Sequence, residues 1–352
     1  MKLSIISFTG NGINLSERIA KELVEIEVTL FTKCTVSEKD ERVLIVNQSI
    51  GEWAKKQMKE KNALLFIGAC GIAVRAIAPY LTDKLHDSPV LVTDEKGRYV
   101  IPILSGHMGG ANELACYIAG EIGADPVITT ATDINRKFAV DVFAKKNGLF
   151  IVNKDGIAKV SSKILAGEPV TISVEPGHVQ KGSHLPDGVH IVSYPPGQRV
   201  DIVVTSQERE FDTAILLKPR EYVIGMGCRR GKEADKIEDL IMRSMDVLGI
   251  SVTQILALSS IEQKRDEQGF IAWSRKENLP FITYTAEELQ KVKGNFRKSA
   301  FVKDKVGVDN VCERAALKAC EPEGRLVYEK HAEDGMTIAI AKREWRVVFD
   351  ET

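Results

Sequence analysis

The residues most able to do chemistry crowd into one stretch, Leu104-Ser105-Gly106-His107-Met108-Gly109-Gly110-Ala111-Asn112-Glu113-Leu114. The apolar run from Tyr99 to Leu104 reads as a strand. Ala111 to Ile122 reads as a helix, with apolar positions at Leu114, Ala115, Ile118, Ala119 and Ile122. Glycines let backbone amides approach a ligand closely. A helix start presents unpaired N–H groups and a partial positive charge. The turn is therefore suited to hold an anion or a developing oxyanion beside the His107 imidazole. The same residues also suit a plain tight turn in which His107 caps the helix.

Three further stretches carry polar groups at turns. Thr129-Thr130-Ala131-Thr132-Asp133 offers three hydroxyls and a carboxylate for a polar ligand, or else an N-cap for a helix continuing to Lys146. Gly68-Ala69-Cys70-Gly71-Ile72-Ala73-Val74-Arg75 opens a helix after the buried-strand pattern Ala63 to Ile67. Gly225-Met226-Gly227-Cys228-Arg229-Arg230-Gly231 sets two arginines on a turn before a helix from Lys232 to Leu248. Guanidinium forks pair carboxylates in a bidentate way. The alternative is a solvated basic helix start, in conflict with the helix dipole. Cys228 reads as a packed thiol, since no His or Asn partner can be assigned to it.

These turns need strands and helices to hold them. Lys2 to Ser7 reads as a strand, Ile13 to Val24 and Ile50 to Glu60 as helices. Alternating strands and helices predict an N-terminal α/β layer domain, 1–149, with a largely parallel sheet. Ligands in such sheets bind beyond the carboxyl ends of strands. The turns after Ile67 and Leu104 and the Thr129–Asp133 run are therefore expected to share one crevice. From 150 to 220 glycines and prolines are frequent and strand-like runs short, which reads as a small middle α/β unit with a linker near Lys218-Pro219-Arg220. His178, His184 and His190 read as loop histidines. A separate C-terminal α/β domain with a mixed sheet is expected over 221–352, its last strands being Arg325 to Glu329, Met336 to Lys342 and Trp345 to Phe349. The N-terminal part and the part from Glu221 are each expected to fold alone.

Composition narrows the function classes. A formal net charge of -1 argues against a general nucleic-acid binder. The six cysteines form no C-x-x-C pair, as expected for reduced thiols and no zinc knuckle. The run Met1 to Phe8 is too short for a signal peptide, and Ala63 to Val74 is too short and interrupted to span a bilayer. A cytoplasmic location is expected. Gly10 and Gly12 invite a nucleotide reading, but the third glycine of that fingerprint is missing.

Taken in order, the Gly68–Arg75, Ser105–Asn112, Thr129–Asp133 and Gly225–Gly231 motifs, with Gly307-Val308-Asp309-Asn310-Val311-Cys312-Glu313-Arg314-Ala315-Ala316-Leu317, strongly resemble the CbiG family, the cobalt-precorrin 5A hydrolases of anaerobic cobalamin biosynthesis. The resemblance runs over nearly the whole chain, although the middle region contributes no motif. One departure is Val306, where a small hydroxyl residue is expected. The resemblance implies opening of a δ-lactone on a cobalt-bound tetrapyrrole, loss of acetaldehyde and formation of cobalt-precorrin 5B. The substrate is then a flat apolar macrocycle rimmed by carboxylates. His107, Asp133 and Glu113 are the candidate acid/base groups. Arg75, Arg229 and Arg230 are candidate rim contacts, and Ser105, Gly109, Gly110, Asn112, Thr130 and Thr132 complete the candidate binding set. Cobalt arrives with the substrate, so no protein-bound cofactor or metal is expected. Transient contact with neighbouring pathway enzymes is the expected partnership, with no nucleic acid and no membrane. The rival readings are a non-catalytic corrinoid carrier and a nucleotide-binding α/β protein.

Overall fold

The computed structural model describes residues 2–35, 41–82, 87–106, 109–135, 137–297 and 307–349, the side chains of Thr132 and Asp133 excepted. They form two compact units, 1–142 and 143–352. Three sheets carry them, so the α/β expectation holds.

The first unit is built on β1 (Lys2–Ser7), β2 (Glu27–Thr32), β3 (Val43–Ile45), β4 (Ala63–Ile67), β5 (Val90–Thr93), β6 (Tyr99–Leu104) and β7 (Asp125–Pro126), in the order β3-β2-β1-β4-β5-β6-β7. Strands β1 to β5 are parallel, which requires both faces to be covered. Helices α1 (Gly10–Glu22) and α4 (Ala111–Ile122) bury one face through Ile13, Ile19, Leu114 and Ile118. Helices α2 (Ile50–Lys59) and α3 (Cys70–Ile77) bury the other through Trp53, Ala73 and Ile77. The five apolar positions expected to face inward from α4 are all buried.

One strand escaped sequence reading. Strand β5 is joined to β6 by a hairpin, in which the Asp94 carboxylate accepts the N–H groups of Lys96, Arg98 and Tyr99. Strand β6 therefore runs antiparallel to β5, with Val90 opposite Leu104 and Thr93 opposite Val100. This reverses the edge at which the Ser105 turn emerges. The turn after Ile67 sits at the carboxyl edge of β4, the turn after Leu104 at the amino edge of β5. A strand length, roughly 15 Å at about 3.3 Å per residue, lies between those edges. The expected shared crevice is corrected accordingly. A second correction concerns the helix expected to run from Thr132 or Asp133 to Lys146, which is two helices, α5 (Ala131–Ile134) and α6 (Val140–Lys146).

In the second unit, β8 (Leu149–Ile151), α7 (Asp155–Leu165), β9 (Val170–Val174), β10 (Val189–Val192), β11 (Val200–Val204) and β12 (Thr213–Pro219) give a sheet ordered β10-β9-β11-β12-β8, parallel except for β8. His190 lies on β10 and not in a loop. The third sheet, β15-β14-β13-β17-β16, comprises β13 (Tyr222–Cys228), β14 (Ile255–Ile261), β15 (Phe281–Tyr284), β16 (Gly324–Glu333) and β17 (Met336–Arg343). It is mixed, as expected, because β17 returns antiparallel to β13. Helices α8 (Ala234–Leu248) and α9 (Gln268–Lys276) bury one face through Ile237, Ile241, Phe270 and Trp273. Helix α10 (Ala286–Lys291) precedes α11 (Cys312–Lys318), whose Ala316 packs with Val223. Close packing makes Gly225 obligatory, since a Cβ there would lie 1.9 Å from the Cys312 carbonyl oxygen.

The expected linker is no loose connection. Only Arg220 and Glu221 separate β12 from β13, and the Arg220 guanidinium lies over Phe150 and donates to Ile255 O. Arg343, at the end of β17, donates to the carbonyls of Arg220, Asn147 and Gly148. Among the described residues beyond it there is no further strand. Val347 instead makes one parallel bridge with Val179, and Trp345 stacks on His178 at 3.8 Å between centroids. The His178 Nδ1 atom lies 2.7 Å from Trp345 O. These contacts tie the middle and C-terminal sheets into one body, so 221–352 is not expected to fold well alone. Trp345, 2% exposed, tests the point. Trp345→Ala is expected to cost about 3–5 kcal/mol, as large aromatic truncations do, read as a lower urea midpoint. A fragment 221–352 should unfold below the midpoint of 137–352.

Candidate functional site

Reversal of β6 builds a polar turn on the amino edge of the first sheet. Ser105 has φ 57°, a left-handed conformation that costs a non-glycine residue roughly 1–2 kcal/mol. Its hydroxyl donates to Asp87 O at 2.9 Å. Its carbonyl accepts Ala111 N at 3.1 Å, and Gly106 O accepts Asn112 N at 3.0 Å. The chain thus curls back on its own helix start. Gly110, with φ 82°, takes the N-cap position without any side-chain cap. A Cβ on Gly109 would lie 2.3 Å from Ser105 Cβ, and one on Gly106 would lie 2.7 Å from Asn112 Oδ1. Glycine is needed at both positions for this tightness. Backbone strain at a polar turn is a marker of function, because folding alone gains nothing from it.

Asn112 then links the turn to the second hydroxyl-rich run. Its Nδ2 donates to Thr130 Oγ1 at 3.0 Å. Strand β7 runs parallel to β6, so the residues after both strands emerge at one edge. Ser105, Gly109, Gly110, Asn112 and Thr130 are therefore brought together, as the sequence suggested. Glu113 is exposed in the first turn of α4. Thr132 and Asp133 belong to α5 on the same side, their side chains outside the description. His107 and Met108 lie outside the described residues, flanked on both sides by the turn just described. The amides expected to greet an anion are partly used, since Ala111 N and Asn112 N are taken by the turn's own carbonyls. Gly109 and Gly110 remain the backbone donors to consider.

Arg75 is not part of this turn. It sits on α3 and reaches back to Gly71 O at 3.2 Å, toward the opposite edge. At that edge Thr9 caps α1 through Gly12 N at 3.0 Å and donates to Glu95 Oε2 at 2.9 Å.

Arg229 and Arg230 lie in the second unit, at the carboxyl end of β13. Both are exposed, and neither guanidinium forms a hydrogen bond or ion pair among the described residues. The helix expected at Lys232 begins at Ala234. Cys228 behaves as the packed thiol expected of it. Burial pushes its pKa up to about 11, against the opposing pull of Lys264, which leaves little thiolate at neutral pH. In the Gly307–Leu317 motif the polar residues are spent on structure. Arg314 pairs with Asp309 at 2.9 Å and donates to Leu289 O and Val292 O. The buried Glu313 carboxylate accepts Lys330 N at 2.8 Å, Arg297 N and Asn310 Nδ2. Val306 lies outside the described residues. Sequence reasoning also missed a cleft of about 480 Å³ lined by Phe150, Val152, Leu216, Arg209, Lys218 and Glu208 with neighbours. With Glu210 its lining holds two acids against two bases, no excess charge to select a polycarboxylate.

Comparison with known proteins follows the same order along the chain. Residues 52–133 match the cobalamin synthesis G N-terminal model, 138–219 the cobalamin biosynthesis central region and 222–341 the cobalamin synthesis G C-terminus. A cobalt-precorrin-5A hydrolase of Salmonella typhimurium strain LT2 is 33% identical over 348 residues, 96% of this chain and 97% of that protein. The cobalt-precorrin-5A hydrolase of Priestia megaterium is 30% identical over 82% of this chain and 81% of its own length. A solved cobalamin biosynthesis protein G homolog from Sulfolobus solfataricus covers 97% of both chains at 23% identity, with a TM-score of 0.41. With a third of its residues shared along nearly the full length of a curated relative, and all three regions matched in sequence order, this chain belongs to the CbiG family.

Proposed function

We propose that this protein is a cobalt-precorrin-5A hydrolase that opens the substrate's δ-lactone and releases the two-carbon fragment as acetaldehyde, leaving cobalt-precorrin 5B. The end-to-end identity to relatives of that name carries the reading. The Ser105–Asn112 turn supports it, being strained, polar and rich in close-approach glycines. Cobalt belongs to the substrate, and the reaction as written calls for no cofactor held by the chain.

His107 is assigned the proton from the water that attacks the lactone carbonyl, since an imidazole titrates near working pH. The N–H groups of Gly109 and Gly110 are assigned the tetrahedral oxyanion. Collapse of that intermediate gives a carboxylate and frees a hydroxyl. Removal of the hydroxyl proton, by His107, Asp133 or Glu113, lets the aldehyde carbonyl form. The carbon–carbon bond breaks and its electron pair passes to the macrocycle carbon, which is then protonated. Asn112, Thr130, Thr132 and Ser105 are assigned to shaping the turn around the lactone. Arg229 and Arg230 are assigned to rim carboxylates, and Arg75 to another, on the guanidinium chemistry alone. Among the described residues no helix is long and apolar enough to cross a membrane. We place the enzyme in the cytoplasm, in transient contact with neighbouring pathway enzymes.

Supplied anaerobically with cobalt-precorrin 5A, the protein is expected to release one acetaldehyde per corrinoid consumed without added nucleotide or metal. Aldehyde trapping and mass spectrometry of the corrinoid check this, and tight binding without turnover would instead support a carrier. His107→Asn should keep its thermal melt and lose roughly 10²–10⁴ in single-turnover rate. A fully active His107→Asn protein would remove the imidazole from the mechanism. Gly109→Ala must push Ser105 aside and should cost at least about 10² in rate, the scale of an ångström's misplacement, with Kd for the corrinoid nearly kept.

A further inference from the structure

Glu267 occupies the N-cap position of α9, where a carboxylate normally accepts N–H groups of its own helix, yet it makes no such bond. It is buried, and its carboxylate is turned the other way. Its Oε1 accepts Gly231 N at 3.0 Å, and its Oε2 accepts Lys264 Nζ at 2.8 Å, with both side chains well shielded from solvent. The Lys232 backbone N–H adds to the same site. A carboxylate reserved for a neighbouring turn, at the expense of its own helix, needs a reason outside the helix.

The turn that it holds is Arg229-Arg230-Gly231. The opposite side is held by the β16–β17 hairpin. Arg229 N donates to Gly335 O at 3.0 Å, and Lys232 Nζ donates to Asp334 O at 2.8 Å. The two acids in contact with this turn are both occupied, Glu267 by Lys264 and Asp334 by Lys232 and Lys236. Among the described residues the arginine charges are left without a partner. A chain with an overall charge of -1 thus keeps two adjacent cations un-neutralised on a turn fixed from both sides.

Resting on the function proposed above, we infer that Glu267, charge-balanced by Lys264, is a positioning residue that fixes the Arg229–Arg230 turn for the rim carboxylates of the corrinoid. Fixing the turn in advance removes an ordering cost from binding. Glu267 acts on affinity through the arginines and touches neither substrate nor reacting atoms.

The experiment uses the full-length protein, with cobalt-precorrin 5A as substrate and amide hydrogen exchange as a second readout. Glu267→Ala should speed exchange at Gly231 and Lys232 and raise KM about tenfold with kcat within about twofold, the pattern of lost uniform binding. Glu267→Gln, which keeps the size and an acceptor for Gly231 N–H, should fall between. The Arg229→Ala/Arg230→Ala double variant should raise KM at least as much. Adding Glu267→Ala to it should change KM no further, because the two act as one unit. Unchanged exchange at the turn, an unchanged KM, or effects that multiply in full would overturn the positioning role while leaving the hydrolase reading intact. Absence of turnover by the unaltered protein would remove that reading, and this inference with it.

Discussion

The second unit depends on a partly buried guanidinium that is satisfied by main-chain oxygens. Arg343, from the third sheet, donates to the carbonyls of Arg220, Asn147 and Gly148, which adjoin the neighbouring strands β12 and β8 of the middle sheet. Burial lowers its pKa, with Cys320 and Glu221 pulling the other way. Gly148, at φ 61°, has no room for a Cβ, which would lie 2.7 Å from Arg343 Nη2. Without this side chain three carbonyls would lose a donor, each costing about 1–3 kcal/mol if left unsatisfied. Asn147 repeats the device through its side chain, exchanging two hydrogen bonds with Val348. A loose linker between the middle and C-terminal sheets is excluded by these contacts.

Much of the architecture could be read from periodicity. Helix α4 spans the predicted residues. Continuous apolar runs such as Ala63 to Ile67 announced a strand covered on both faces, as β4 is. What failed was direction. Val90 to Thr93 is only four residues, and Asp94 closes its hairpin through three amide bonds that no hydrophobic pattern records. Missing that hairpin hid the reversal of β6 in an N-terminal sheet read as largely parallel and moved the Ser105 turn to the wrong edge. Similarly, the tail from Trp345 looked like a strand by residue type, but its partners are His178 and Val179, far away in sequence.

The candidate site was legible to the extent that residue type alone defines it. Ser105, Asn112 and Thr130 meet because β6 and β7 share a direction, so that the turns after both strands emerge at one edge. Arg75, named with Arg229 and Arg230 as a rim contact on its guanidinium chemistry, lies on α3 toward the opposite edge. Glu267 was invisible in sequence, since its partners Gly231 and Lys264 are set by the fold and not by any pattern around the helix. Both polar turns use one strategy. Glycines bring backbones into contact, and nearby donors and acceptors are consumed internally, so that a chosen few remain to face solvent.

The clasp formed by Arg343, Trp345 and Val347 has a consequence for synthesis on the ribosome. Strand β12, which completes the residues of the middle sheet, ends at Pro219, whereas the residues that fasten this sheet to its neighbour begin at Arg343, more than a hundred positions later. At roughly 5–20 residues per second, the intervening stretch takes on the order of 6–25 s to emerge. During that interval the ring face of His178 and the carbonyl of Asn147 await Trp345 and Arg343, which do not yet exist. The first unit, finished at about residue 142, has no such wait. A nonsense codon even a few residues before Arg343 therefore removes the fastening of a sheet encoded more than a hundred residues upstream.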